Sequence, residues 1–264
     1  MNGILSSIWR YRFFIYSSIK TELRVRFIRS RLGGMWMILH PLAQVILFAF
    51  VLSTVMAAKL PGITNKYAYS IYLMSGILGW SLFTEILTRS VSVFVNNGNL
   101  IKKMVFPKIT LPLIVVGSAL ANNILLFFAI LVIFGLLGHW PGASLIWLPV
   151  LILINAALAL GIGLALGVVN VFARDIDQMV PVAMQFLFWA TPIVYMTSII
   201  PVRYRPWLAL NPLSALVSGY QNILLYDKAP DVVVIGILTL VALGLLLVTM
   251  WLFRKASPEM VDML

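Results

Sequence analysis

The stretch LPLIVVGSALANNILLFFAILVIFGLLG, Leu111 to Gly138, carries no charged residue at any position. A helix needs about 20 predominantly apolar residues to cross the hydrocarbon core of a bilayer, and this run exceeds that. A membrane barrel would instead show short segments of alternating polarity. The run therefore reads as one spanning α-helix, with Pro107 and Pro112 marking its start.

Five further runs satisfy the same criterion: Met35–Ala57, Ser70–Val95, Leu145–Phe172, Met179–Ile199 and Val232–Phe253. The 264-residue chain is 62% apolar and only 10% charged, with a mean hydropathy of +1.02. Soluble domains are about 45–50% apolar and about 25% charged. The sequence thus predicts an all-α integral membrane protein with six transmembrane helices. Residues 1–264 form one transmembrane domain, divided into an interface helix (1–31), a six-span bundle (35–253) and a tail (254–264).

The formal net charge of +11 does not point to nucleic acid, because the basic residues cluster at the ends of apolar runs. With six spans both termini share a side. That side holds thirteen of the nineteen Lys and Arg residues and the other holds five, with Arg89 inside the second span. The positive-inside rule then places both termini in the cytoplasm, together with the stretch NNGNLIKKMVFPKITLP, Asn96 to Pro112. No short apolar run with a small-residue cleavage site occurs at the N-terminus, so a removed signal peptide is not expected. The chain has no Cys, which excludes disulfides, thiolate metal sites and Cys nucleophiles.

Residues 4–27 read as an amphipathic helix. Ile4, Ile8, Tyr11, Ile15, Ile19 and Leu23 share one face, flanked by Trp9, Phe13 and Tyr16, while Arg12 and Glu22 break the pattern. Such a helix lies in the membrane interface, or else packs on its own bundle. The fourth run carries Ala157-x-x-x-Gly161 and Gly163-x-x-x-Gly167, a spacing of small residues that permits close helix packing. Between the fifth and sixth runs, Pro201–Asp231 is too apolar for an exposed loop and is broken at Asn211-Pro212. It reads as a pair of re-entrant helices covered by protein, or as a loop packed over the bundle.

Catalytic constellations are sparse, and no catalytic or metal-binding residues are assigned. Asp175 and Asp177 beside Arg174 are more simply a helix cap and its ion pairing than a metal-diphosphate site. His40 and His139 have no ligand partner at metal spacing. Glu85 and Arg89 are four apart in the second run, so on a helix they face one another. Each charge alone at mid-bilayer would cost about 2.5–3.5 kcal/mol, which makes pairing the economical arrangement and a pathway or latch role the alternative.

No G-x-x-x-x-G-K-[ST] phosphate loop occurs. Energy for uphill transport must then come from an ion gradient or a separate ATPase, and one paired Glu is little for a proton relay. Within the cytoplasmic stretch, Gly98 to Phe106 fits a short helix whose greasy side is Leu100, Ile101, Val105 and Phe106. Such a side suits a groove on another protein.

Four segments in order, RFIRSRLGGMWMILHP (26–41), NGNLIKKMVFPKITLP (97–112), ARDIDQMVP (173–181) and FWATPIVY (188–195), resemble the permease subunit of ABC-2 type exporters. The resemblance is closest to the polysaccharide branch, the Wzm-type O-antigen and capsule exporters and their teichoic-acid relatives. It implies a homodimer over two copies of a cytoplasmic ATPase in the bacterial inner membrane. ATP and Mg would be bound by that partner and no cofactor by this chain. The substrate implied is a glycan on an undecaprenyl-diphosphate carrier. The ATPase would meet the interface helix and Asn99, Leu100, Ile101, Lys102, Lys103, Val105, Phe106 and Pro107. Arg24, Arg26, Arg29 and Arg31 are suited to the lipid diphosphate, or serve as positive-inside anchors. Trp36, Trp80, Phe83, Glu85, Arg89, Phe188, Trp189 and Tyr195 are candidates to line the path. The alternatives are an ABC-2 exporter of a teichoic acid, drug or small lipid, a secondary transporter, and an enzyme acting on polyprenyl phosphates.

Overall fold

In the computed structural model, residues 9–28, 35–50, 67–103 and 107–263 are described, and they contain helices and turns without a strand. The helices are α1 (Arg12–Ile28), α2 (Trp36–Ala49), α3 (Ala68–Asn96), α4 (Gly98–Lys103), α5 (Thr110–Leu136) and α6 (Leu148–Phe172). They continue as α7 (Ile176–Trp189), α8 (Arg205–Ala209), α9 (Pro212–Leu224), α10 (Val232–Ala256) and α11 (Met260–Met263).

Four helical segments are long and apolar enough to cross a membrane: Ala68–Asn96, Thr110–Leu136, Ala143–Phe172 and Val232–Ala256. At 1.5 Å per residue even the 25-residue α10 reaches about 37 Å, against about 30 Å of hydrocarbon. The 14-residue α2 is the described part of the run Met35–Ala57, whose end lies outside the described residues.

The fifth expected run, Met179–Ile199, departs from a continuous span. Its helix α7 stops at Trp189 and is too short, at about 21 Å, to cross by itself. Pro192 causes the break, because it lacks an N–H and disfavours helical geometry at Thr191. The irregular turn that follows is largely buried, and the carbonyls of Pro192, Val194 and Tyr195 accept hydrogen bonds from α3 and α9. Tyr69 Oη donates to Val194 O (2.5 Å), and Tyr72 Oη to Tyr195 O (3.0 Å) and Pro192 O (3.2 Å). Gln221 Nε2 also donates to Pro192 O (3.3 Å).

The segment Pro201–Asp231 is helical over α8 and α9. Asn211 caps α9, its Oδ1 accepting the Leu213 N–H (3.0 Å), with Pro212 pre-set at the first helical position. The α9 helix packs against α3 and α6, and Tyr220 is fully buried there. A Cβ on Gly79 would lie 2.7 Å from the Tyr220 ring, so α3 needs glycine at that crossing.

The bundle is built around α3. Buried residues make up 78% of its most apolar window, against 22% for α10, which exposes Leu240, Leu247 and Trp251. The small residues of α6 divide between two neighbours. A Cβ at Gly163 would sit 2.9 Å from Leu87 O and one at Gly167 would collide with Ser90 O, both on α3. Gly161 instead faces α10, where Thr249 Oγ1 donates to its carbonyl (2.8 Å). Three asparagine amides reach α3 carbonyls: Asn155 to Gly79 (2.8 Å), Asn123 to Leu78 (3.0 Å) and Asn170 to Val91 (3.1 Å). Hydrogen bonds of this kind hold helices together where burial gives no net drive.

A second, smaller apolar cluster lies at the end of the bundle that carries α4 and α11, and includes Phe94, Ile101, Ile109, Phe253 and Met260. Lys102, Lys108, Arg254 and Lys255 belong to this basic end. The opposite end is closed by Gly138, whose φ of +71° ends α5, and by His139 Nε2, 2.7 Å from Leu224 O.

Candidate functional site

The α1 helix lies across α5. Tyr11, Ile15, Ile19 and Leu23, the face expected from periodicity, are half-buried, and Gly117 leaves room for Ile19. Trp9, Phe13 and Tyr16 remain exposed. Of the two residues that break the apolar face, Arg12 folds back, its guanidinium 4.6 Å from the Trp9 ring and 4.5 Å from Phe13. Glu22 does something the sequence did not disclose. Its carboxylate pairs with Arg89 of α3 and accepts from Ser118 Oγ of α5 (2.8 Å).

Arg89 also donates to Glu85 Oε1 (3.1 Å), which accepts a second bond from Asn122 Nδ2 (2.7 Å). The expected Glu85–Arg89 pair is thus one half of a clamp spanning α1, α3 and α5. Two carboxylates share one guanidinium. Glu22 was visible as an acid on an apolar face, but its partner was not.

Two adjoining chambers lie beside this clamp. The first, of 390 Å³, is bounded by Trp36, His40 and Gln44 of α2, by Trp80, Ser81, Thr84 and Glu85 of α3, and by Asn122 and Asn123 of α5. The second, of 580 Å³, adds Phe48, Thr88 and the α7 residues Gln185, Phe188 and Trp189. Gln44, Trp80 and Thr84 border both. Their aromatic rings form a train: Trp80 to Phe188 (5.5 Å), Phe188 to Trp189 (5.7 Å) and Phe48 to Phe188 (5.8 Å). These rings are spaced for edge-to-face and stacked contact.

The structure therefore brings Trp36, Trp80, Glu85, Phe188 and Trp189 to one connected space. It does not bring the rest. Phe83 is 2% exposed in the core beside Trp80 (6.3 Å). Arg89 borders a separate 630 Å³ cleft under α1. Tyr195 is half-buried outside both chambers and its hydroxyl donates to Trp189 O (2.7 Å). Gln44, Phe48 and Asn122 were not singled out in the sequence, although a polar side chain inside a span is a signal in itself.

At the basic end, α4 turns Ile101 inward. Ile101 is 7% exposed and packs in the cluster containing Phe94, Phe253 and Met260. Leu100 is half-buried, whereas Asn99 and Lys102 are exposed. Of Lys103 the backbone alone is described, and Val105 and Phe106 lie outside the described residues. Pro107 O accepts the N–H (2.9 Å) and Oγ1 (2.8 Å) of Thr110, which starts α5. Lys108 Nζ donates to the carbonyl oxygen and to Oγ (3.1 Å) of Ser257. Burial holds its pKa below the ordinary Lys value. The C-terminal helix α11 thus seats directly against α4.

Of the four arginines considered for a diphosphate, Arg24 is exposed, Arg26 contributes backbone to α1, and Arg29 and Arg31 lie outside the described residues. Asp175 stands at the N-cap position of α7 without a side-chain cap bond, and Asn170 Oδ1 instead accepts the Asp177 N–H (3.1 Å). Among the described residues no three His, Asp or Glu side chains converge as metal ligands.

A charge-clamped helix lying across a bundle with polar chambers can now be compared with known proteins. The chain is 27% identical over 264 residues to the O-antigen export system permease protein RfbA of Myxococcus xanthus, covering 99% of each. It is 25% identical over 244 residues to the protein of that name from Klebsiella pneumoniae, covering 92% of each. The polysialic acid transport protein KpsM of Escherichia coli is 24% identical over 245 residues, 90% of this chain and 92% of that one. Residues 14–225 match the ABC-2 type transporter family, a span that takes in all but the first two residues of α1, both chambers and α9. The chain is a multi-pass membrane protein of the ABC-2 type transporter family.

Proposed function

We propose that this chain is the permease subunit of an ATP-driven exporter that moves a lipid-linked polysaccharide across the bacterial inner membrane. The observation that carries the reading is similarity over 90% or more of the chain to relatives named as O-antigen and polysialic acid transporters. Two copies of the chain enclose the path and two copies of a cytoplasmic ATPase bind ATP and Mg beneath them. The excess of Lys and Arg at the α1 end supports cytoplasmic termini. Six crossings follow if α2 continues beyond Phe50 and if the α7 crossing is completed through the buried Thr191–Tyr195 turn. The helices α8 and α9 then dip in from the outer face.

The exposed Asn99 and Lys102 and the α1 surface form the face toward the ATPase. Force entering there reaches α10 through Ile101 and Met260, and reaches α3 and α5 through the Glu22–Arg89–Glu85 clamp. Opening the chamber walls requires no bond chemistry from this chain. The test is deletion of its gene in the host. Loss of surface polymer, with lipid-linked polymer retained inside and export restored by the intact gene, is expected. Undiminished surface polymer would overturn the reading.

A further inference from the structure

Between the buried 191–195 turn and α9 the chain makes an excursion that stands off the bundle. Its two feet are fixed, for Tyr72 Oη donates to Tyr195 O (3.0 Å) and Asn211 Nδ2 to Thr191 Oγ1 (3.0 Å). Between these feet α8 packs mainly on the Val202–Tyr204 turn and on α9. Ile199, Val202, Tyr204, Trp207 and Leu210 are each more than half exposed, and Arg203 and Arg205 are exposed among them. Arg205 Nε donates to Ile200 O (3.0 Å), which holds that side chain beside the turn, and the Arg203 guanidinium lies 6.0 Å from the Tyr204 ring.

Exposed apolar surface of this extent marks contact with a membrane or with a partner protein. The surroundings decide between the two. At the same end of the bundle Leu136 and Trp140, where α5 finishes, and Ile146, just before α6, are also more than half exposed. Apolar and aromatic side chains thus recur around the rim of the bundle instead of forming one bounded patch, and a bilayer boundary gives that distribution. Lys and Arg are scarce on this side of the chain, five against thirteen, yet two of the five stand one residue apart among the exposed rings. Arg meets phosphate through a planar fork of donors, and basic residues at a bilayer surface attract anionic lipids. We infer that residues 199–210 form a docking surface for anionic phospholipid headgroups, with Val202, Trp207 and Leu210 at the acyl boundary and Arg203 and Arg205 on phosphate. The surface holds the start of α9 at a fixed depth. It rests on the export reading only for the leaflet it meets, which that reading makes the outer one.

The chain has no Cys, so Val202→Cys introduces its sole thiol, which takes an environment-sensitive fluorophore. The full-length chain is placed in nanodiscs of phosphatidylcholine and phosphatidylglycerol, one of the two lipids carrying bromine on its acyl chains at equal amount. Brominated phosphatidylglycerol is expected to quench about twofold to fivefold more than brominated phosphatidylcholine, the upper figure being the worth of one basic residue at an anionic surface. Arg203→Gln should remove most of that preference, Arg203→Lys should keep it, and high salt should weaken it. A fluorophore at Leu247→Cys, on the exposed face of α10, should be quenched equally by both lipids. Arg203 is exposed, and elution at the position of the unsubstituted protein confirms that each variant is folded. No quenching at Val202→Cys by either lipid, equal quenching by both, or a preference untouched by Arg203→Gln overturns the inference. So does loss of the preference in micromolar inorganic pyrophosphate, which would make the arginines a discrete diphosphate site. Both leaflets of the nanodisc carry the same lipids, so undiminished surface polymer in the deletion strain would remove the export reading and leave this result standing.

Discussion

At the end of the bundle away from α1, tyrosine hydroxyls of α3 bond backbone carbonyls of a proline-broken turn; at the basic end, three short or surface helices rest on one ion-pair clamp and a small apolar cluster. The first arrangement buries irregular backbone whose carbonyls have no water to turn to, so any opening costs several hydrogen bonds at once. The second uses side chains that are about a quarter exposed, 24% for Arg89 and 29% for Glu22, where water competes for the same bonds. The two ends therefore differ in how readily they yield: the basic end gives way where water can replace its bonds, and the opposite end resists.

The largest expected effect removes the distinction by breaking both ends together. Gly167→Leu would drive a side chain into the Ser90 carbonyl of α3, where backbone cannot yield, at a cost of about 3 kcal/mol or more. Loss of the monodisperse protein in fluorescence-detected size-exclusion chromatography is the expected result. Next in size, Ile101→Asp places a charge among Phe94, Phe253 and Met260 and detaches α4 and α11. We expect about 2–4 kcal/mol of local destabilisation, seen as faster hydrogen exchange in α4 and α11 with α9 unchanged. Equal acceleration in α9 would mean that the two ends are not independent.

At the stiff end, Tyr72→Phe leaves Pro192 O and Tyr195 O without its hydroxyl, worth about 1–2 kcal/mol. A fall in the Tm of the purified protein measures it. The smallest effect is at the clamp, where Glu22→Gln should cost about 0.5–1 kcal/mol while markedly raising protease access to α1. A double-mutant cycle with Arg89→Gln isolates the pair. Coupling as large as the Tyr72 effect would show that the basic end does not yield.

The Ile101 case shows what sequence patterning left open. A greasy side on a short helix reads as a surface for a partner, yet Ile101 packs in one cluster with Met260, 159 positions away in the same chain. Periodicity finds an apolar face but carries no address for it. Glu22 is the converse. It stood out as a flaw in an amphipathic helix, and the flaw is the anchor, because an acid on a face turned toward Arg89 has its partner there. Of the expected path residues, Trp36, Trp80, Glu85, Phe188 and Trp189 meet at the chambers, while Phe83 points to the core from the same helix as Trp80. Trp80 and Phe83 are three positions apart, which leaves them only about 60° from one another around the helix, so neither spacing nor residue type tells which of the two reaches the cavity.

Hydropathy and the distribution of charge by themselves determined that this chain is helical, located the four segments whose helices are long enough to span among the six apolar runs expected, and placed its amphipathic helix. Those properties follow from transfer of side chains and backbone out of water, which is set residue by residue. Tertiary structure alone decided that α7 stops at Trp189, that the α6 glycines divide between α3 and α10, and that Glu22 joins Glu85 on a single arginine. These depend on what stands opposite each side chain, and in an apolar medium the choice is made by close packing and by the hydrogen bonds that leave fewest polar groups unpaired.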